Sequence, residues 1–239
     1  MTRLHTDPVR VREGRLPEGR EKARTVRAMF DAIAPRYDLV NRVMTFRLDV
    51  GWRRRTVAAL HLSPGSVVLD LACGTGDLCR ELARCGLSPI GFDFSAGMLA
   101  AARAPSPLVR ADVLRLPLPD AMAEGVTCGF ALRNLVALDP FAHELARVVR
   151  RGGRIALLET SEPLNPVIRW GHGIYFGRVV PRVGGWLSDP DAYRYLPRSV
   201  AYLPPPDELV DLFRRAGFPD LRRTRLAGGV AQLLTGTRA

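Results

Sequence analysis

The run Val68-Leu69-Asp70-Leu71-Ala72-Cys73-Gly74-Thr75-Gly76-Asp77-Leu78 constrains the fold of this chain more than any other stretch. It is a continuous apolar segment that ends in a Gly-x-Gly turn opening a helix. A strand covered on both faces needs no polar alternation, so such a segment predicts a buried strand feeding a crossover. The glycines allow a sharp turn and let a ligand approach backbone N–H groups that a Cβ would screen. The rest of the chain agrees. Apolar runs predict strands over 67–72, 90–94, 108–113, 126–132 and 155–159, with helices over 77–85, 96–103 and 140–150. Strands alternating with helices of this length predict βαβ crossovers and a doubly wound, Rossmann-like α/β sheet.

Around that sheet the organisation changes. Residues 1–20 mix Arg, Glu, Pro and Gly without hydrophobic period and read as a mobile basic tail. Residues 21–62 carry two helical patterns, the second with Pro35 in its first turn, and form an N-terminal helical cap on a single domain spanning 21–239. Over 163–204 the regularity lapses into Gly, Pro and aromatics, the composition of a lid-like insertion. A helix over 206–216 and two β-like runs joined through Gly228-Gly229 close the chain as an antiparallel hairpin.

With 47% hydrophobic and 25% charged residues among 239, the composition excludes wholesale disorder, a fibre and a disulfide-rich mini-domain. The four cysteines fit a reducing, cytoplasmic setting, and their spacing matches no metal site. Charge is the unusual quantity: 35 basic residues, of which Lys22 is the one lysine, against 24 acidic ones, net +11. Residues 1–60 hold +7, 61–150 hold −1 and 151–239 hold +5. The excess therefore flanks a neutral middle.

That middle holds the chemistry. Position 79 is cysteine, so the third glycine of a dinucleotide fingerprint is missing, and no Gly-Lys-Ser/Thr marks a phosphate loop. What remains suits a nucleoside without a pyrophosphate. Asp93, ending the second strand, can accept both hydroxyls of a ribose, and Asp112, ending the third, can meet an adenine edge. In open α/β sheets ligands bind at the carboxyl ends of the strands, where all three features fall. Together they point to S-adenosylmethionine.

The segment 69–77 resembles motif I of class I S-adenosylmethionine-dependent methyltransferases. Four further segments resemble the ubiquinone/menaquinone biosynthesis C-methyltransferase family: 29–41 with its Tyr37-Asp38-Leu39-Val40-Asn41, 129–134 with Leu132-Arg133-Asn134, 144–159, and 191–200. The resemblance covers residues 24–236 and implies carbon methylation of a demethylmenaquinol or a related 2-polyprenyl benzoquinol. It implies that Gly74, Thr75 and Gly76 hold the carboxypropyl end of the cofactor, with Asp70 in the same set, that Asp93 holds the ribose, and that Asp112 with Val113 holds the adenine. Gly129 stands where family members often have serine, which removes a hydroxyl contact, and Ala131 replaces a glycine.

Carbon transfer needs the neighbouring quinol hydroxyl to lose its proton, hence a base or a stabilised quinolate. No histidine lies in the matching segments, so a histidine base is not expected. Arg133 can stabilise the oxyanion, with Asn134 and Tyr37 positioning the hydroxyl or a relaying water. The competing readings are a structural ion pair for Arg133 and a core aromatic for Tyr37. His172, in the insertion, is a further candidate to face the ring. A nucleic-acid-binding protein on this fold, or methylation of RNA or another metabolite, is the alternative; the positive charge favours the first of these weakly, but it would leave the cofactor constellation idle. No nucleic-acid partner and no metal are expected.

A polyprenyl substrate resides in the bilayer, so the enzyme is expected in the cytoplasm and peripherally on the inner face of the cell membrane. Arg53-Arg54-Arg55 beside Trp52 is the leading candidate for contact with anionic lipid, against a solvated helix face. The oligomeric state stays open, a homodimer being one option.

Overall fold

The computed structural model describes residues 18–179, 182, 195 and 198–239. The N-terminal cap is built from α1 (Gly19–Ile33), a 3-10 turn (Ala34–Arg36), α2 (Tyr37–Met44) and α3 (Leu48–Ala58). Then come β1 (Val67–Leu71), α4 (Asp77–Arg84), β2 (Ser88–Asp93), α5 (Ala96–Ala101), β3 (Leu108–Arg110), β4 (Ala123–Gly129), α6 (Leu138–Val148) and β5 (Val149–Thr160). The C-terminal part holds α7 (Pro166–Ile174), α8 (Pro206–Arg215), β6 (Arg222–Leu226) and β7 (Ala231–Thr237).

The strands form one seven-stranded sheet in the order β3-β2-β1-β4-β5-β7-β6. Its first five strands are parallel, and β7 pairs antiparallel with both β5 and β6. Alternation along each strand divides the core. Leu69, Leu71, Val126, Cys128, Ile155 and Leu157 point to the side packed by α6 and α8, where Phe141 and Phe213 meet edge to face. Val68, Ala156 and Leu158 point to the other, against Leu78 and Leu82 of α4 and Trp52 and Val57 of α3. A third cluster, Ile33, Ala34, Val40 and Met98, seats the cap on α5. Burial on both faces is why the strands read as unbroken apolar runs.

Several predicted boundaries move, each for a local reason. The third strand stops at Arg110 rather than 113, because Asp112 Oδ1 accepts the Leu114 N–H at 3.0 Å and turns the chain. The fourth ends at Gly129 rather than 132. Phe130 there takes a left-handed φ of 59°, and Leu132–Asn134 winds into a 3-10 turn, so Arg133 and Asn134 sit on a turn and not on a strand. The fifth begins at Val149, straight out of α6. Pro35 lies in the separate 3-10 turn, and α1 starts at Gly19, inside the stretch read as tail, of which residues 1–17 lie outside the described residues. The insertion read as irregular contains α7, capped by Asn165 Oδ1 on the Val167 and Ile168 N–H groups, while 183–194 lie outside the described residues.

The Arg53-Arg54-Arg55 prediction, made with Trp52 beside it, is overturned in part at the surface: Arg54 and Arg55 are exposed, but the other two members are not. Trp52 and Arg53 are both buried, Trp52 beside the Phe130 ring at 6.1 Å and Arg53 paired with Asp49 and, at 3.1 Å, with Asp77. Neither is available to a membrane. Among the described residues no helix is long and apolar enough to cross one.

Candidate active site

The carboxyl ends of β1, β2 and β4 face the cap, and two cavities lie between them. The first, of about 350 Å³, is walled by Gly74, Asp93, Phe94, Met98, Asp112, Val113 and Asn134 on the sheet side, with Ala23, Val26, Arg27 and Phe30 of α1 closing it. The second, of about 390 Å³, lies among Met44, Phe46, Leu48, Phe130, Ile168, Val200 and Val230, with Asp49, Arg53, Arg133, His172 and Tyr175 among its polar members. Phe30, Tyr37 and Phe130 belong to both walls. These three side chains stand between the two spaces.

The first cavity is shaped by the Gly-x-Gly turn. Gly76 adopts φ 81°, and a Cβ there would meet that of Ala104 at 2.6 Å, so both conformation and space exclude a side chain. Asp93 is nearly fully buried; its Oδ2 accepts the Gly74 N–H and its Oδ1 the Ser95 N–H, each at 2.8 Å. Burial raises its pKa above the ordinary range, against the pull of those two amides. Fixed in this way, the carboxylate keeps lone pairs for a ligand. Asn134 donates through Nδ2 to the Phe130 carbonyl at 3.4 Å, while its buried Oδ1 has no partner among the described residues. An orphaned buried acceptor in a cavity wall calls for a ligand donor. Asp112 is exposed at the far end, beside the buried Val113.

The remaining predicted residues separate from this wall. Asp70 and Thr75 line a recess of about 40 Å³ behind Gly74, and Gly76 lines none of the three spaces. Thr75 donates its hydroxyl to Asp38. Asp70 is fully buried, accepting from Thr127 Oγ1 at 2.8 Å and Cys79 Sγ at 3.3 Å, and burial raises its pKa to about 7. It braces the turn from beneath. Beside it an ion network of Arg53, Arg80 and Arg42 with Asp77, Asp38 and Asp49 ties α2, α3 and α4 together.

In the second cavity Arg133 is gripped on three sides. It pairs with Glu159, donates Nε to Ser199 Oγ at 3.1 Å and donates an Nη to the Phe130 carbonyl at 3.0 Å. Its backbone N–H reaches Glu159 Oε2 at 3.2 Å. The structural ion pair and the place in the cavity wall coexist. Tyr37 is half-buried; burial raises the pKa of its phenol, opposed by Asn41, Arg53 and Arg133, so at neutral pH it remains a donor. Burial likewise lowers His172, leaving its imidazole neutral. Sequence reasoning missed Glu159, Phe130 and Phe30 as site residues. An acid ending the apolar run 155–158 was the readable signal for the first.

Comparison with known proteins agrees with this geometry. A solved S-adenosylmethionine-dependent methyltransferase from Thermotoga maritima superimposes with a TM-score of 0.65 at 16% identity, over 90% of this chain and all of that one, which shows the fold. The demethylmenaquinone methyltransferase of Roseiflexus castenholzii is 40% identical over 232 residues, covering 93% of this chain and 97% of that protein. The ubiquinone/menaquinone biosynthesis C-methyltransferase UbiE of Geobacter sulfurreducens is 38% identical over 230 residues, covering 91% and 90%. The family model described as the ubiE/COQ5 methyltransferase family matches residues 18–238. A likeness that takes in the cap, both cavity walls and the C-terminal strands means that the chain belongs to the ubiE/COQ5 methyltransferase family.

Proposed function

We propose that the protein methylates a ring carbon of a demethylmenaquinol, or of a related polyprenyl benzoquinol, with S-adenosylmethionine as donor. The observation that carries this reading is the wall shared by the two cavities through Phe30, Tyr37 and Phe130. The first cavity fits an adenosine: Phe94, Met98 and Val113 offer apolar surface for a purine, Asp93 an acceptor pair for ribose hydroxyls, and Asn134 Oδ1 an unfilled acceptor. When bound there, the cofactor supplies an electrophilic methyl group. Asp112 and Val113 close the adenine end, and Gly74, Thr75 and Gly76, braced by Asp70, shape the other.

The chain's own residues prepare the ring. Arg133 and Arg53, each paired with a carboxylate, set guanidinium N–H donors in the wall of an otherwise mostly apolar cavity, where a quinolate oxygen gains most from them. Glu159 and Ser199 fix the Arg133 guanidinium, so no reorganisation is needed as charge develops. The protonated Tyr37 donates to the ring oxygen at the seam, Asn134 orients from the other side, and the neutral His172 can receive the hydroxyl proton directly or through water. Once the carbon is methylated its own hydrogen leaves as a proton, the ring oxygen is reprotonated, and the net one proton passes to solvent. The apolar walls keep bulk water from the nucleophile. On this reading the protein works in the cytoplasm against the inner face of the cell membrane.

Incubation of purified protein with methyl-labelled S-adenosylmethionine and demethylmenaquinol, a 2-polyprenyl benzoquinol or RNA tests the reading. Label is expected on a quinol ring carbon. Arg133→Ala should retain calorimetric cofactor binding and lose about 10²-fold or more in turnover, the usual cost of one oxyanion donor. Labelled RNA with unlabelled quinols, or full turnover by that variant, overturns it.

A further inference from the structure

Large apolar side chains stand exposed on two segments that touch. Phe46 is 73% exposed, Val167 76% and Trp170 71%, with Leu39, Val43, Leu48, Leu164 and Ile168 beside them in sequence and also open to solvent. They come from two segments, α2 with the turn into α3, and α7 with its approach. The segments touch: the Phe46 and Tyr175 rings lie 5.6 Å apart, and Tyr175 Oη donates to the Met44 carbonyl at 2.8 Å. Phe46, Leu48 and Ile168 are at once exposed and part of the second cavity's wall, so this face is the rim through which that cavity meets the outside. A soluble monomer seldom leaves so much contiguous apolar surface uncovered.

Charge indicates what covers it. Arg47 and Arg169 stand exposed on the same two segments and Arg178 just past α7, while the exposed Arg42 is paired with Asp38 and Asp77; residues 163–179 contain no acidic side chain. Apolar side chains set among arginines suit an anionic lipid surface, with the rings and aliphatic groups in the interfacial layer and the guanidinium groups at the phosphates. We propose that the α2 and α7 segments form the membrane-docking face of the protein and hold the mouth of the second cavity against an anionic bilayer. Resting on the quinol reading above, this gives the substrate a route: the ring enters from the lipid between Phe46 and Ile168 while the prenyl tail stays in the hydrocarbon. The donor cavity, closed by α1, is left free to exchange with water.

Vesicle flotation of the full chain, without cofactor or quinol, tests docking independently of catalysis. The wild type should float with phosphatidylglycerol-containing vesicles, less with pure phosphatidylcholine, and less again at high salt. Val167→Asp with Trp170→Asp, positions outside both cavity walls, should weaken flotation about tenfold or more. The same double variant should keep wild-type turnover on a short-chain soluble quinol and lose it on a long-chain quinol in vesicles. Arg169→Glu, a charge reversal at an exposed position, should shift the lipid dependence in the same direction. Wild-type flotation by the double variant overturns the proposal, as does failure of the wild type to float or a dimer in sedimentation velocity that the double variant dissociates. If patch-dependent flotation persists while no quinol accepts methyl, docking stands and the substrate reading falls.

Discussion

Asp70 lies wholly out of solvent beneath the Gly74–Gly76 turn, and its burial has a pH signature of definite sign. Raised from 3.8 to about 7, it holds in the folded state a proton that the unfolded chain releases. Stability therefore falls as pH climbs from about 4 to about 7, and above that the charged carboxylate carries its full desolvation penalty. Asp70→Asn removes the penalty but also one of the two acceptors used by Thr127 and Cys79, a loss of about 1 kcal/mol. The variant should be slightly less stable than wild type near pH 4 and more stable near pH 8, with its thermal midpoint flatter between them. Parallel midpoint curves would refute the assignment. Arg133 and Glu159 illustrate a different residue-scale fact. Twenty-six positions separate them, and only the pairing of β4 with β5 brings the turn after one strand to the end of the other. No local pattern encodes such a pair, so reading Arg133 from the sequence alone could not choose between ion pair and cavity wall.

Among the elements, α1 has the most work to do for its length. Its face with Ala23, Val26, Arg27 and Phe30 covers the donor cavity, and three contacts hold it down. Asp31 accepts from Ser95 Oγ and, at 2.9 Å, from the Gly97 N–H; Arg27 lies 5.3 Å from the Phe94 ring; and Lys22 Nζ donates to the Leu135 carbonyl at 2.6 Å over the Tyr202 ring. Burial lowers the pKa of Lys22 to about 8. Seating α1 thus disfavours the lysine proton, and the seated form should gain stability as pH rises from about 8 towards 10.5. Amide exchange in α1, corrected for intrinsic rate, should slow across that window in the wild type and stay flat in Lys22→Met; equal slopes would exclude Lys22 as the cause. The sequence revealed this helix and its apolar face but not what the face covers. The reverse holds for α7. Gly171 and Gly173 weaken the helical pattern, although Asn165-Pro166 already spelled out a cap followed by a first-turn proline. Short-range chemistry was legible, then, and long-range partners were not.

At the scale of the molecule, two half-open cavities on one sheet edge make ligand occupancy measurable as global stability. A ligand at 100 times its dissociation constant adds about 2.7 kcal/mol, and for a chain of this size each kcal/mol moves the thermal midpoint by about 2–4 °C. Saturation with S-adenosylhomocysteine should raise the midpoint by about 5–10 °C in the wild type and in Arg133→Ala, which lies outside the first cavity. Asp93→Ala should abolish the rise, since it removes the ribose acceptor and strands two amides. A shift surviving in Asp93→Ala would place the nucleoside elsewhere. The chain's basic balance also takes on a shape at this scale: the neutral middle builds the parallel sheet, and the positive ends build the cap and the rim. Within those ends, a single lysine among 34 arginines, its side chain turned inward, leaves an endoproteinase specific for lysine one peptide bond to cut, Lys22–Ala23. The native protein carries a one-cut reporter, in which the appearance of a fragment starting at Ala23 counts how often its cover lifts.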